Sequence, residues 1–100
     1  MNVTSEVDNQ YTAEVLYSNV EFFYQGKPLG STTLQDGAPE ARKLLRYLAI
    51  TGKPFHDVLC FYRLSQELLG ADILEMSLAE DGEHILHSGR VMGKRSELLL

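Results

Sequence analysis

Between Tyr11 and Gln25, apolar and polar side chains alternate with a period of two. Ala13, Val15, Tyr17, Val20, Phe22 and Tyr24 fall on one face of a ribbon. Thr12, Glu14, Leu16, Glu21, Phe23 and Gln25 fall on the other. Wound as a helix, the same apolar residues scatter round most of the circumference, so the pattern predicts a β-hairpin. With Ser18-Asn19 as the two-residue turn, the opposed pairs are Tyr17/Val20, Val15/Phe22 and Ala13/Tyr24. From Gln25 to Gly37 the alternation breaks. Gly26, Pro28, Gly30 and Gly37 make this stretch a loop, interrupted at most by a short edge strand.

The period then becomes helical. Asp36 is a capping residue type, Pro39 suits a first helical turn, and Gly52 supplies a stop. Over about 38–50, Ala41, Leu44, Leu45, Leu48 and Ala49 gather on one arc, with Arg42, Lys43 and Arg46 opposite. A second helix, over about 54–69, carries Phe55, Val58, Leu59, Phe61, Tyr62, Leu64, Leu68 and Leu69 round most of its surface. A helix apolar over so much of its circumference belongs at the centre of a fold. A second hairpin follows, with Asp81-Gly82 at its turn and Leu78/Ile85, Ser77/Leu86 and Met76/His87 opposed.

The order predicted is β-β-α-α-β-β. This is an α+β domain in which two hairpins form one antiparallel sheet packed on two helices, the second helix central. Residues 1–10 read as a flexible polar N-terminus, 11–89 as the domain, and 90–100 as a basic, then apolar, tail.

Composition narrows the class. The chain has 100 residues, 44% hydrophobic and 23% charged, which is the balance of one globular domain. No apolar run approaches the roughly 20 residues that span a membrane. The single cysteine excludes an intramolecular disulfide and a cysteine-rich zinc module. The polar, acidic Met1–Gln10 stretch lacks the features of a secretory signal, so a cytoplasmic setting is expected. The net charge of -5 argues against general nucleic-acid binding. That charge is laid out unevenly. Arg42, Lys43, Arg46, Lys53 and Arg63 cluster in the middle of the chain, Asp72, Glu75, Glu80, Asp81 and Glu83 follow without a base, and Arg90, Lys94 and Arg95 return at the end.

Four constellations carry candidate chemistry. His56, Cys60, Arg63 and Glu67 lie 4, 3 and 4 residues apart along one side of the second helix. Cys60 beside His56 is a thiol and base pair for a small thiol-dependent enzyme, although no group to orient the histidine is visible. His84 and His87 lie on opposite faces of a strand, so no metal site is expected. Gly26 to Thr32 lacks the order of a phosphate loop, and no residue pattern calls for a cofactor. The basic arc of Arg42, Lys43 and Arg46 gives a nucleic-acid-binding regulator as a further alternative, but the helix that would read bases is greasy nearly all round.

The mixed sheet face and the tail fit a binding module better. Leu16, Phe23, Ile73 and Leu86 would sit among glutamates, while Arg90, Lys94 and Arg95 offer positive charge to a partner. The sequence thus points to a small acidic, non-enzymatic interaction or regulatory module. It is expected to self-associate, or to bind another protein, through a sheet edge or its mixed face.

Overall fold

Strand reversals in this protein are built on left-handed backbone. Gln25-Gly26 and Ser88-Gly89 carry positive φ at both central positions (52° and 78°, 51° and 84°), the pattern of a type I′ turn. Tyr17, at φ 59°, opens a third two-residue turn with Ser18 and alone carries positive φ there, the pattern of a type II′ turn. These turns match the right-handed twist of the strands they join, so each reversal extends an antiparallel meander. The computed structural model describes residues 1–98 and shows the α+β class that the periodicity predicts. The chain divides into two compact units, Met1–Phe55 and His56–Leu100.

The first unit holds four strands in sequential order: β1 (Asn2–Thr4), β2 (Tyr11–Leu16), β3 (Asn19–Tyr24) and β4 (Lys27–Thr33). Helix α1 (Ala38–Thr51) packs on β1 and β2. The observed pairs are Val15↔Val20, Ala13↔Phe22 and Tyr11↔Tyr24, so the turn lies one residue earlier than Ser18-Asn19. Pairing moves by two residues and every side chain keeps its predicted face, because faces repeat with period two. Tyr17 alone leaves the inward row and stands 91% exposed at the turn. The shift brings Tyr11 against Tyr24, with ring centroids 4.7 Å apart.

Two strands were hidden from the pattern. β1 is three residues long, too short to display a period, yet it pairs with β2 and buries Val3 in a segment expected to be flexible. β4 occupies the stretch read as loop with at most a short edge strand, and it runs for seven residues. As an edge strand it tolerates Pro28, whose missing N–H no outer strand requires, and Leu29 is the extra residue of a bulge between Gly30 and Pro28.

Helix α1 starts at Ala38 as expected, with Gly37 in the N-cap position and Asp36 just before it. The Asp36 amide donates to the Glu40 carboxylate (2.8 Å), which turns back over the first turn. It ends at Gly52 in the left-handed conformation (φ 64°), whose N–H donates to the Leu48 carbonyl. Leu44, Leu45 and Leu48 join Val20, Phe22 and Leu34 in the core. The Phe22 and Phe55 rings close it at 5.0 Å.

Helix α2 (Phe55–Glu67) leads into the second unit, followed by a 3₁₀ turn, β5 (Met76–Leu78), β6 (His84–His87), β7 (Arg90–Lys94) and a closing 3₁₀ turn over Arg95–Glu97. As expected for a central helix, α2 is buried over most of its circumference, from Phe55 through Val58, Leu59, Phe61 and Tyr62 to Leu64. The register of the β5–β6 hairpin is the predicted one: Met76↔His87, Ser77↔Leu86 and Leu78↔Ile85. The strand begins only at Met76. The Asp72 carboxylate accepts from the Leu74 amide (3.0 Å) and coils Ile73–Glu75 into the 3₁₀ turn.

The two hairpins belong to two sheets rather than one, of four and three strands. Each hairpin takes its further strands from the adjacent chain, β1 and β4 in one case and β7 in the other, and short loops close at least entropic cost. The segment read as a tail is therefore mostly strand and turn. Leu98 is buried, while Leu99 and Leu100 lie outside the described residues. No helix among the described residues is long and apolar enough to cross a membrane.

Candidate functional site

β7 forms one edge of the three-stranded sheet. Its inner side pairs with β6 through His87↔Arg90, Leu86↔Val91, Ile85↔Gly93 and His84↔Lys94, with Met92 the extra residue of a bulge. Gly93 faces inward, where an added Cβ would stand 3.5 Å from Leu64 Cδ1 on α2. Val91 and Met92 are exposed at 63% and 38%, and Leu86 beside them is half-buried. Arg90 and Lys94 flank this apolar stretch. Neither has an ion-pair partner among the described residues. The outer edge of β7 offers backbone N–H and C=O groups to a further strand.

Three of the residues expected to bind a partner thus lie on the β6–β7 ribbon, Leu86 and Lys94 on one face and Arg90 on the other. The other four do not join them. Leu16 and Phe23 lie on the first unit's sheet, Leu16 exposed and Phe23 half-buried, on a face where Glu14 directly opposes Glu21. Ile73 is buried at 2% in the 3₁₀ turn and offers no surface. Arg95 is committed to its own unit. Its guanidinium pairs with Asp57 of α2 (3.4 Å), its N–H donates to the Glu83 carbonyl (2.7 Å), and its Nε is buried without a hydrogen bond. Val91 and Met92 escaped the sequence reading because the bulge interrupts the alternation that marks a strand.

The turn opposite the edge is tightly held. Asp81 Oδ1 accepts from the amides of Glu83 (2.9 Å) and His84 (3.1 Å), and its other oxygen meets the His84 ring. These backbone hydrogen bonds, with the histidine contact behind them, lower the Asp81 carboxyl to about 2. Ser96 donates to Glu83 through both its amide and its hydroxyl and holds that carboxyl below its ordinary range. His87 takes a different partner, Glu75 at 3.2 Å. Among the described residues, no three His, Cys, Asp or Glu side chains gather as a metal site.

Cys60, expected in line with His56, Arg63 and Glu67 along one side of the helix, is fully buried, and its thiol donates to the Arg95 carbonyl (3.8 Å). Burial pushes its pKa up, with the nearby Arg95 charge opposing. A thiol nucleophile needs the opposite shift. His56 stands on the exposed side of the same helix. The basic arc of α1 is exposed as expected, and Arg42, Lys43 and Arg46 line a cavity of about 200 Å³ together with Thr4, Ser5, Glu6 and Val7. Compared with models of protein families, with curated proteins and with solved structures, the chain matches none.

Proposed function

We propose that this protein is a non-enzymatic interaction module whose β7 edge receives an extended acidic segment of a partner protein. The observation that carries this reading is an edge strand with exposed Val91 and Met92 set between two cations without ion-pair partners among the described residues. Strand addition supplies main-chain hydrogen bonds, while the cations select the sign of the incoming side chains. A second copy is the weaker occupant of this edge. Antiparallel self-pairing centred on Met92 sets Arg90 of one copy against Lys94 of the other, and like charges directly opposed are destabilising. The interior position and raised pKa of Cys60 support binding over thiol chemistry. Its burial as a free thiol also fits the cytoplasmic setting expected from the sequence.

The test is an amide-resolved NMR titration of the full chain with a labelled eight-residue peptide of alternating glutamate and valine. Saturable shifts confined to β6 and β7, weakening with salt, are the expected result. Arg90→Glu with Lys94→Glu should reduce affinity about tenfold or more. Absence of shifts on β7, or equal binding by the doubly reversed variant, would overturn the proposal.

A further inference from the structure

We infer that the cavity between α1 and the Thr4–Val7 segment binds a small free phosphomonoester or inorganic phosphate. This site lies in the first unit and is independent of the β7 edge, so either assignment can fail without the other.

Arg42, Lys43 and Arg46 are spaced so that Arg46 lies one helical turn from both others. Like charges at these spacings repel, and none of the three has an ion-pair partner among the described residues. The helix therefore carries an uncompensated electrostatic cost that a bound anion removes. Facing the cations across the cavity are the hydroxyl residues Thr4 and Ser5 and one carboxylate, Glu6. Ser5 Oγ accepts from the amides of Val7 (3.2 Å) and Asp8 (3.4 Å), which leaves its O–H proton to donate.

Charge and size then select the ligand. Three cations against one carboxylate leave two positive charges, the complement of a phosphomonoester's roughly −1.5 to −2 at pH 7. A carboxylate ligand would leave half of that charge unmatched. Two guanidinium groups with their planar donor forks suit the several oxygens of a phosphoryl group. The cavity of about 200 Å³ holds more than one water but falls below the roughly 300 Å³ at which drug-sized ligand pockets begin. It fits a phosphoryl group with a few further atoms.

The experiment is a titration of the full chain, followed by amide shifts, with inorganic phosphate, glycerol phosphate, dimethyl phosphate and acetate at constant ionic strength. Phosphate and glycerol phosphate should give saturable shifts at residues 4–7 and 42–46. Acetate and the singly charged diester should bind more weakly. Affinity should rise from pH 5 to pH 7.5 as the ligand's second proton leaves, near pKa about 6. Arg42→Gln with Arg46→Gln, both exposed and both expected to fold, should weaken binding about tenfold or more. Glu6→Gln should tighten it about two- to fivefold by removing the opposing charge.

Shifts that do not saturate, a diester that binds as well as the monoester, or a double variant that binds normally would overturn the assignment. A single-stranded oligonucleotide that binds more tightly than glycerol phosphate at equal salt would overturn it too. In that case the arc would be reading a polymer.

Discussion

Gly37 joins β4 to α1 at φ 57° and ψ −114°, a backbone conformation that side-chain-bearing residues rarely adopt. A Cβ there would stand 3.2 Å from the Tyr17 carbonyl oxygen and 3.6 Å from Val15 Cγ1. Gly37→Ala should therefore cost about 2 kcal/mol in stability, measured by urea unfolding; an unchanged midpoint would show that the junction relaxes freely. Tyr17 presents the opposite case. It holds φ 59° while standing almost wholly in solvent, so it bears backbone strain with little packing in return. Tyr17→Gly should raise stability by about 1 kcal/mol in the same assay, and a loss would mean that the ring is held by something other than the turn. Cys60 supplies a third residue-scale prediction. Its folded pKa lies above the ordinary thiol value of 9.0, so its contribution to stability is complete below that pH and lost as pH rises through the folded value. In native buffer a thiol reagent should modify it orders of magnitude more slowly than in denaturant. Equal rates would place the thiol at the surface.

Among the elements, the hairpins and helices were legible to different depths. The β5–β6 register could be read because Asp81-Gly82 is a turn signal with a mechanism: the aspartate oxygens satisfy the amides of the residues that follow. The β2–β3 turn lies one residue before Ser18-Asn19, with Tyr17, a poor residue for positive φ, at its first position. No local propensity announces that choice; both registers send Phe22 to the core, and only the observed one sets Tyr11 against Tyr24. β4, legible only as a short edge strand in a loop, and β7, not legible at all, share a reason: a bulge in each pair shifts the phase of the alternation. The Asp81 turn yields an acid prediction. Its folded carboxyl, at about 2, lies below the ordinary aspartate value of 3.8. The stabilisation is thus present above 3.8 and is lost as pH falls from there through about 2. Asp81→Asn should flatten the acid-unfolding profile across that window, and an unaltered profile would assign acid sensitivity elsewhere.

For the whole molecule, the sequence was more informative about class than about surface. The α+β assignment followed from periods alone, whereas the partition into two sheets depended on strands too short or too irregular to show one. Of the residues expected to face a partner, Leu86, Arg90 and Lys94 share the β6–β7 ribbon while Ile73 turns inward, because a 3₁₀ turn replaces the strand that would have displayed it. The charge pattern along β7 further predicts that the purified chain runs as an 11.3 kDa monomer by light scattering at micromolar concentration. A dimer that survives high salt would return self-association to first place. A net charge of -5 on the chain also makes the basic β7 edge locally discriminating, since acidic segments must approach it against the average field.

The bulge at Met92 sets the scale of what β7 can hold. With five residues and an interruption inside them, the strand can contribute only a few main-chain bonds to an incoming segment, so a single engagement is brief. Durable capture would come from avidity, with a ligand that repeats its acidic stretch, or several modules presented side by side, rebinding faster than it escapes.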